Sequence, residues 1–267
     1  MMRTCVFLIF FLATFSIKTF AQTLASNVDI KSLLKTQTKR VAIIIDDMGY
    51  RRTDKDALTL PGAVTYAFLP HTTYGKKLAI QANSTNHDVL LHIPMESENK
   101  KKLGPGALTS HMNKQAFSQS LTASFAEIPF AIGINNHMGS YLTQLYQPMA
   151  WTMAFLKKNN LLFLDSKTSL SSRAQQAAID FGVPVQARHI FLDNELTDKY
   201  ISEQFRQLIN FTKEHHSAIA IAHPHPETVA MLTKLIPTLK THGIELVPLS
   251  SLYSTTISTQ KKLLASN

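Results

Sequence analysis

Short aliphatic runs recur along this chain, spaced so that each pair leaves room for a helix. They are Val41–Ile45, Val64–Leu69, Val89–Ile93, Ala131–Ile134, Leu161–Leu164, Val183–Phe191, Ala218–Ala222 and Glu245–Leu249. Runs this apolar read as strands buried on both faces, the condition of a parallel sheet. Helical patterns lie between them. Lys114–Ile128 places Phe117, Leu121 and Phe125 on one face, and Leu196–Phe211 does the same with Ile201, Phe205, Leu208 and Ile209. Glu227–Thr241 starts just after Pro226 and ends at Gly243, and Pro237 is expected to kink it. Strands alternating with helices make right-handed βαβ units. About seven or eight such units suit a (β/α) barrel better than the runner-up, a doubly wound open sheet. Residues 95–113, with Gly104-Pro105-Gly106, lack a period and read as a long loop of the kind that often serves function.

The N-terminal segment has a different pattern. Arg3 precedes an apolar stretch, Val6–Ile17, and then Lys18-Thr19-Phe20-Ala21. That order is the signature of a secretory signal peptide over 1–21, cleaved after Ala21. Its apolar stretch is short for a membrane span. The expected organisation is therefore a signal peptide, a polar tether over 22–38, a folded domain over 39–252 and a tail over 253–267. Export to the periplasm follows as an expectation, with no membrane span after cleavage.

The single cysteine of the chain is Cys5, inside that segment. Thiolate metal sites and thiol nucleophiles are thus excluded from the domain, and any metal there must take His, Asp or Glu ligands. The formal net charge is +9; without Arg3 and Lys18 it is +7, from 25 basic against 18 acidic residues. That balance favours anionic partners such as acidic glycans. No stripe of Arg and aromatics points to nucleic acid. Lys100-Lys101-Lys102 reads as a solvated loop.

In a parallel barrel, chemistry collects where strands end. The residues that leave each run are accordingly informative. Asp46 and Asp47 leave the first, His71 the second, His92 and Glu96 the third, and Asn135, Asn136 and His137 the fourth. Asp165 leaves the fifth, Arg188, His189 and Asp193 flank the end of the sixth, and His223 and His225 leave the seventh. Two adjacent carboxylates resist joint ionisation unless a cation or a proton separates them. The pair Asp46-Asp47 therefore points to a metal ligand beside a general base. His92 and His137 share its edge, and a His-His-Asp set with open positions is a normal catalytic site for Zn²⁺. Asp165 is open to two readings, a group orienting a ligand or the cap of the following helix. Arg173 either reaches the site or covers a surface. The stiff segment His223-Pro224-His225-Pro226 presents His223 as a general acid or oxyanion stabiliser, with His225 at the turn into the last helix.

Taken together, Ile45-Asp46-Asp47-Met48-Gly49, Leu91-His92-Ile93-Pro94-Met95-Glu96, Asn135-Asn136-His137-Met138-Gly139-Ser140, Phe163-Leu164-Asp165-Ser166 and Ala222-His223-Pro224-His225-Pro226 resemble the divergent polysaccharide deacetylases. The likeness spans roughly 39–252. That group is a distant branch of the carbohydrate deacetylases with a NodB-type fold. The resemblance implies a distorted (β/α) barrel and metal-dependent removal of N- or O-acetyl groups from a glycan, with Zn²⁺ or a similar ion. Carried over, Asp46 is the base, Asp47 a metal ligand and His223 the general acid. Two departures stand out. Glu96 occupies the place of the usual second metal-binding His, and Asn135-Asn136-His137-Met138-Gly139-Ser140 replaces an Arg-Pro-rich motif. The expected ligand set is then Asp47, His92 and His137, with Glu96 as the alternative third ligand. Asn136, Asp165, His225 and Glu96 are the candidates for orienting a metal ligand or touching substrate.

The leading expectation is an exported deacetylase acting on an acetylated glycan. Its rivals are a glycan-binding barrel without turnover and a metal-dependent phosphodiesterase or amidase on the same scaffold.

Overall fold

The computed structural model describes residues 38–253. The expected signal segment, nearly all of the tether and the tail beyond Tyr253 lie outside those residues. The described chain forms one parallel sheet. Its strands are β1 (Lys39–Met48), β2 (Thr65–Phe68), β3 (Val89–Met95), β4 (Ala131–Met138), β5 (Leu162–Asp165), β6 (Val185–Ala187), β7 (Ile190–Phe191), β8 (Ser217–Ala222) and β9 (Ile244–Leu246). The helices are α1 (Gly75–Ser84), α2 (Lys114–Glu127), α3 (Tyr146–Lys158), α4 (Ala174–Phe181), α5 (Asp198–His215) and α6 (Pro226–Leu235). Hydrogen-bonded order runs β6-β5-β4-β3-β2-β1-β8-β7, with β9 on the first residues of β1.

The strands β6 and β7 are the two ends of that order, yet only Arg188 and His189 separate them in sequence. Two residues reach at most about 7 Å. The sheet must therefore curl until its edges meet. Arg188 donates its amide to the Asp165 carbonyl of β5, and His189 donates its amide to the Ile219 carbonyl of β8, both at 2.9 Å. The Ile219 amide donates back to His189 Nδ1 at 3.0 Å. One extended segment thus pairs with β5 through its first half and with β8 through its second. This is the distortion of the barrel, and it splits the expected run Val183–Phe191 into two short strands.

Side chains on strands alternate between faces. Val41, Ile43 and Ile45 of β1 pack outward beneath the helices, in the larger of two apolar clusters. Ala42 and Ile44 point inward and meet Ala67, Leu90, Leu162, Leu164, Ile219 and Ile221. Complete burial of one Leu or Ile side chain here stabilises the fold by about 1.5–3 kcal/mol. The segment after β9 plugs the barrel at the N-terminal ends of its strands. Val247, Leu249, Leu252 and Tyr253 join the inner cluster. The Leu249 amide donates to Thr65 Oγ1 at 3.1 Å, the Ser250 amide to Asp88 Oδ2 at 2.7 Å, and the Tyr253 hydroxyl to the Phe163 carbonyl at 2.6 Å. The packed domain therefore includes Tyr253.

Helix ends follow local chemistry. Asn113 Oδ1 accepts from the Ala116 amide and caps α2; Thr197 Oγ1 accepts from the Tyr200 amide and caps α5. Phe117 and Leu121 are buried from α2, and Ile201, Phe205, Leu208 and Ile209 from α5. Pro237 acts differently from the expected kink. Lacking an amide proton, it cannot continue the α-helical ladder, and the chain tightens into a 3-10 segment, Ile236–His242, that stops at Gly243 with φ 68°.

Candidate active site

The inward rows change character at the C-terminal edge of the sheet. Ala42 and Ile44 are followed two residues on by Asp46, Leu90 by His92, Leu164 by Ser166, and Ile221 by His223. Asn135 lies in register with His92 on the neighbouring strand. Asp46, His92 and Asn135 are all buried. Strict alternation would turn Asp47 away from this layer. Asp47 instead has φ 58°, in the left-handed region, and the β1–β2 register shifts between Ile45 and Met48. Two consecutive carboxylates are thereby brought to one site. Asp adopts that backbone more readily than most residues. The turn is braced from below by Asp54, whose Oδ2 accepts the amides of Gly49 at 2.8 Å and Arg51 at 2.9 Å. Gly49 is required there: its φ is 127°, and a Cβ would collide with Thr72 Oγ1 and lie 2.9 Å from Gly75 Cα.

The expected ligand set is assembled in space. Asp47, His92 and His137 each present one donor atom, all within 4.8 Å of one another. Asp47 Oδ1 lies 2.7 Å from His137 Nδ1 and 3.1 Å from His92 Nε2. Despite these approaches, Oδ1 is buried without an aligned hydrogen-bond donor. A buried oxygen facing two imidazole nitrogens, with no hydrogen bond of its own, is what a divalent ion completes, and the donor types suit Zn²⁺. Asn135 sets up His92 for that task. Its Nδ2 donates to Asp46 Oδ1 at 2.8 Å, so its Oδ1 faces His92 Nδ1 at 2.9 Å. A carboxylate only accepts, which fixes the amide's orientation; His92 Nδ1 then carries the proton, and Nε2 keeps its lone pair for the site.

His223 directly follows β8, which pairs with β1 on the side away from β2. Its Nδ1 lies 3.1 Å from Asp193 Oδ1, while Asp193 Oδ2 accepts the His223 amide at 2.7 Å and the Thr228 hydroxyl at 2.9 Å. The imidazole is thus locked, with Nε2 toward the site at 3.9 Å from Asp47 Oδ2. A cleft of about 270 Å³ opens beside it, lined by Asp47, Tyr50, Arg51 and His225 among others.

Electrostatics divides the two acids. Burial raises the Asp46 pKa, and the lowering effects of His92, His223 and Asn135 do not cancel it. Burial works on Asp47 in the same direction, but contacts with His137 and His92 overcome it and hold its carboxyl well below the usual range. For His223, burial favours the neutral ring; the Asp193 hydrogen bond and the charges of Asp47, Asp193 and Asp46 outweigh it and push the pKa up to about 9.

The remaining candidates serve the walls. Glu96 is not part of the three-residue group; its Oε2 accepts the Ser110 amide at 2.6 Å. Asn136 ties two strand exits together, donating to the Met138 carbonyl and accepting the Ser166 amide. Asp165 accepts from the Lys167 amide and the Ser172 hydroxyl, and so shapes the loop ahead of α4. His225 is the residue before Pro226 at the start of α6, with its ring 6.0 Å from that of His223. His189 belongs to the barrel seam. Sequence reading did not single out Asn135, Asp54 or Asp193 for a role. Asp193 was visible at a strand exit, but its pairing with His223 spans 30 residues.

The geometry can be set beside known proteins. The chain is 37% identical over 214 residues to YibQ, an uncharacterised protein of Escherichia coli K12, covering 80% of this chain and 67% of that one. It is 36% identical over 217 residues to an uncharacterised protein of Haemophilus influenzae, covering 80% and 76%. A solved structure of an uncharacterised protein from Agrobacterium tumefaciens C58 superposes with a TM-score of 0.78 at 26% identity, covering 81% of this chain and 90% of that one. The family model described as divergent polysaccharide deacetylase matches residues 43–253. That span includes β1 from Ile43 onward, every other strand of the barrel and all the residues gathered at its C-terminal edge, and the chain belongs to the divergent polysaccharide deacetylase family.

Proposed function

We propose that this protein is a metal-dependent hydrolase that removes acetyl groups from a polysaccharide. One observation carries the reading: a proton acceptor and a proton donor, each held by its own partner, flank a three-donor metal group. A divalent ion such as Zn²⁺, held by Asp47, His92 and His137, supplies a Lewis acid toward the acetyl carbonyl and toward water. Asp46 takes the proton from the attacking water. Its raised pKa moves a carboxylate toward the pH at which a base is most effective. Asn135 holds Asp46 and His92 in one chain of hydrogen bonds. His223, whose pKa Asp193 and the nearby carboxylates push up in the metal-free chain, gives its Nε2 proton to the departing amine or alcohol, while Asp193 keeps Nδ1 and the ring in place.

The test is acetate release. Purified protein loaded with Zn²⁺ is offered N- and O-acetylated glycans, alongside Asp46→Asn. Release by the wild type and loss in the variant support the reading. Tight glycan binding with no release by either protein overturns it in favour of a glycan-binding barrel.

The periplasm is the proposed place of action, reached through residues 1–21. Cell fractionation with N-terminal sequencing checks this: a mature chain beginning at Gln22 supports it, and a cytosolic chain retaining Met1 rejects it.

A further inference from the structure

A second cleft, of about 690 Å³, lies among the loops that leave β3, β4 and β5 at the same edge as the candidate active site. Ser110 enters it from the loop after β3, Gln144, Tyr146, Gln147 and Trp151 from the segment after β4, and Arg173 from the loop after β5. No acidic side chain lines it. Its polar groups are amides, hydroxyls and one guanidinium, and its flat apolar surfaces are aromatic. That mixture suits a sugar ring, which offers hydroxyls at its edge and C–H groups on its face.

Two features narrow the ligand. Arg173 is exposed, and among the described residues its guanidinium makes no hydrogen bond or ion pair. Asp180, whose charge like that of Arg173 acts on Tyr146, is already engaged by the Tyr146 hydroxyl at 2.6 Å and by Gln176 Nε2 at 2.9 Å. A planar, unpaired guanidinium beside aromatic rings is matched by a carboxylate on the sugar. The whole chain is strongly basic, which attracts such a polymer from a distance.

The walls are also tied to the strands that bear the metal group. The Arg173 amide donates to the Thr143 carbonyl at 2.7 Å, and Thr143 Oγ1 to the Gly139 carbonyl at 2.8 Å just past β4. Glu96, just past β3, holds the Ser110 amide through its side chain, while its carbonyl accepts from Tyr141 and Leu142. Glu96, expected as an alternative third ligand or a supporting group, here fixes one cleft wall to another.

We propose that this cleft is a subsite for a carboxylated sugar of the polysaccharide chain, with Arg173 on the carboxylate and Trp151 and Tyr146 against the ring. The proposal rests on the polysaccharide reading above and adds the class of glycan.

Trp151 is the single tryptophan of the chain, so its fluorescence reports on this cleft. The protein is titrated with an oligogalacturonate, an oligomannuronate and the neutral methyl ester of each. The expected result is a saturable change in emission with at least one carboxylated oligomer and little with its ester. Arg173→Gln weakens that binding about tenfold. Silence of Trp151 toward both uronates, an equal response to the esters, or full binding by Arg173→Gln overturns the subsite. Failure of acetate release with this titration intact removes the deacetylase reading and leaves the cleft standing.

Discussion

The barrel interior has two storeys built from the same inward-facing rows. In the lower one stand Ile44, Leu90, Leu164 and Ile221; two residues further along each strand stand Asp46, His92, Ser166 and His223. Both storeys obey the same alternation and are largely closed to water. The lower stabilises the fold by packing, whereas the upper concentrates charge that packing alone would reject. The comparison teaches that depth along a strand, not the choice of strand, separates stability from chemistry in this molecule.

That separation can be broken experimentally. Asp46→Asn tests it hardest. Activity is expected to fall about 10³-fold, while thermal stability holds or rises. The sign follows from the raised Asp46 pKa: at neutral pH the ionised carboxylate costs folding stability, and the amide removes that cost while still meeting Asn135. A large drop in melting temperature would merge the two storeys into one.

Ile44→Ala is the converse. Ile44 is wholly buried in the lower storey. Chemical denaturation should show a loss of about 2–5 kcal/mol, with zinc affinity per folded molecule unchanged. His137→Ala against Glu96→Gln sharpens the upper storey. Metal titration should show His137→Ala weakened by more than about 100-fold and Glu96→Gln by less than about threefold; a reversal would reinstate Glu96 as the third ligand.

Asp193→Asn gives the smallest and most diagnostic effect. The His223 pKa is raised in the folded chain, so the stability it contributes to the metal-free protein is complete below about 6.5, the ordinary His value, and lost as pH rises through about 9. The variant should flatten that loss in a pH series of melting curves. It should also move the alkaline fall of activity to lower pH. An unchanged profile would mean that Asp193 does not govern His223.

Much of this was legible in the chain because it is local. Apolar runs give strands, and the residue leaving each run stands at the active edge, so Asp46, Asp47, His92, His137 and His223 could be gathered before any coordinates. What was not legible depends on pairing across distance. Asn135 serves His92 and Asp46 because β3 and β4 are in register, and the sequence does not state a register. Asp193 follows a strand of only two residues, too short to carry a period. Glu96 sits four residues after His92, a spacing that invites a ligand reading, yet its side chain turns to the Ser110 loop instead. The helices α1 and α3 are likewise not assigned from the sequence, although Met149, Met153 and Leu156 form a buried stripe on α3.

The seam at Arg188 and His189 makes one more quantity critical, and it is a length. The short bridge from Ala187 to Ile190 is a ruler that fixes where β7 meets β8. One inserted residue there would turn β7 over, carrying Phe191 out of the interior and Asp193 away from His223. Every motif residue would survive such an insertion, and the site would still be dismantled. In this barrel a silent spacer is under as much constraint as the acids it positions.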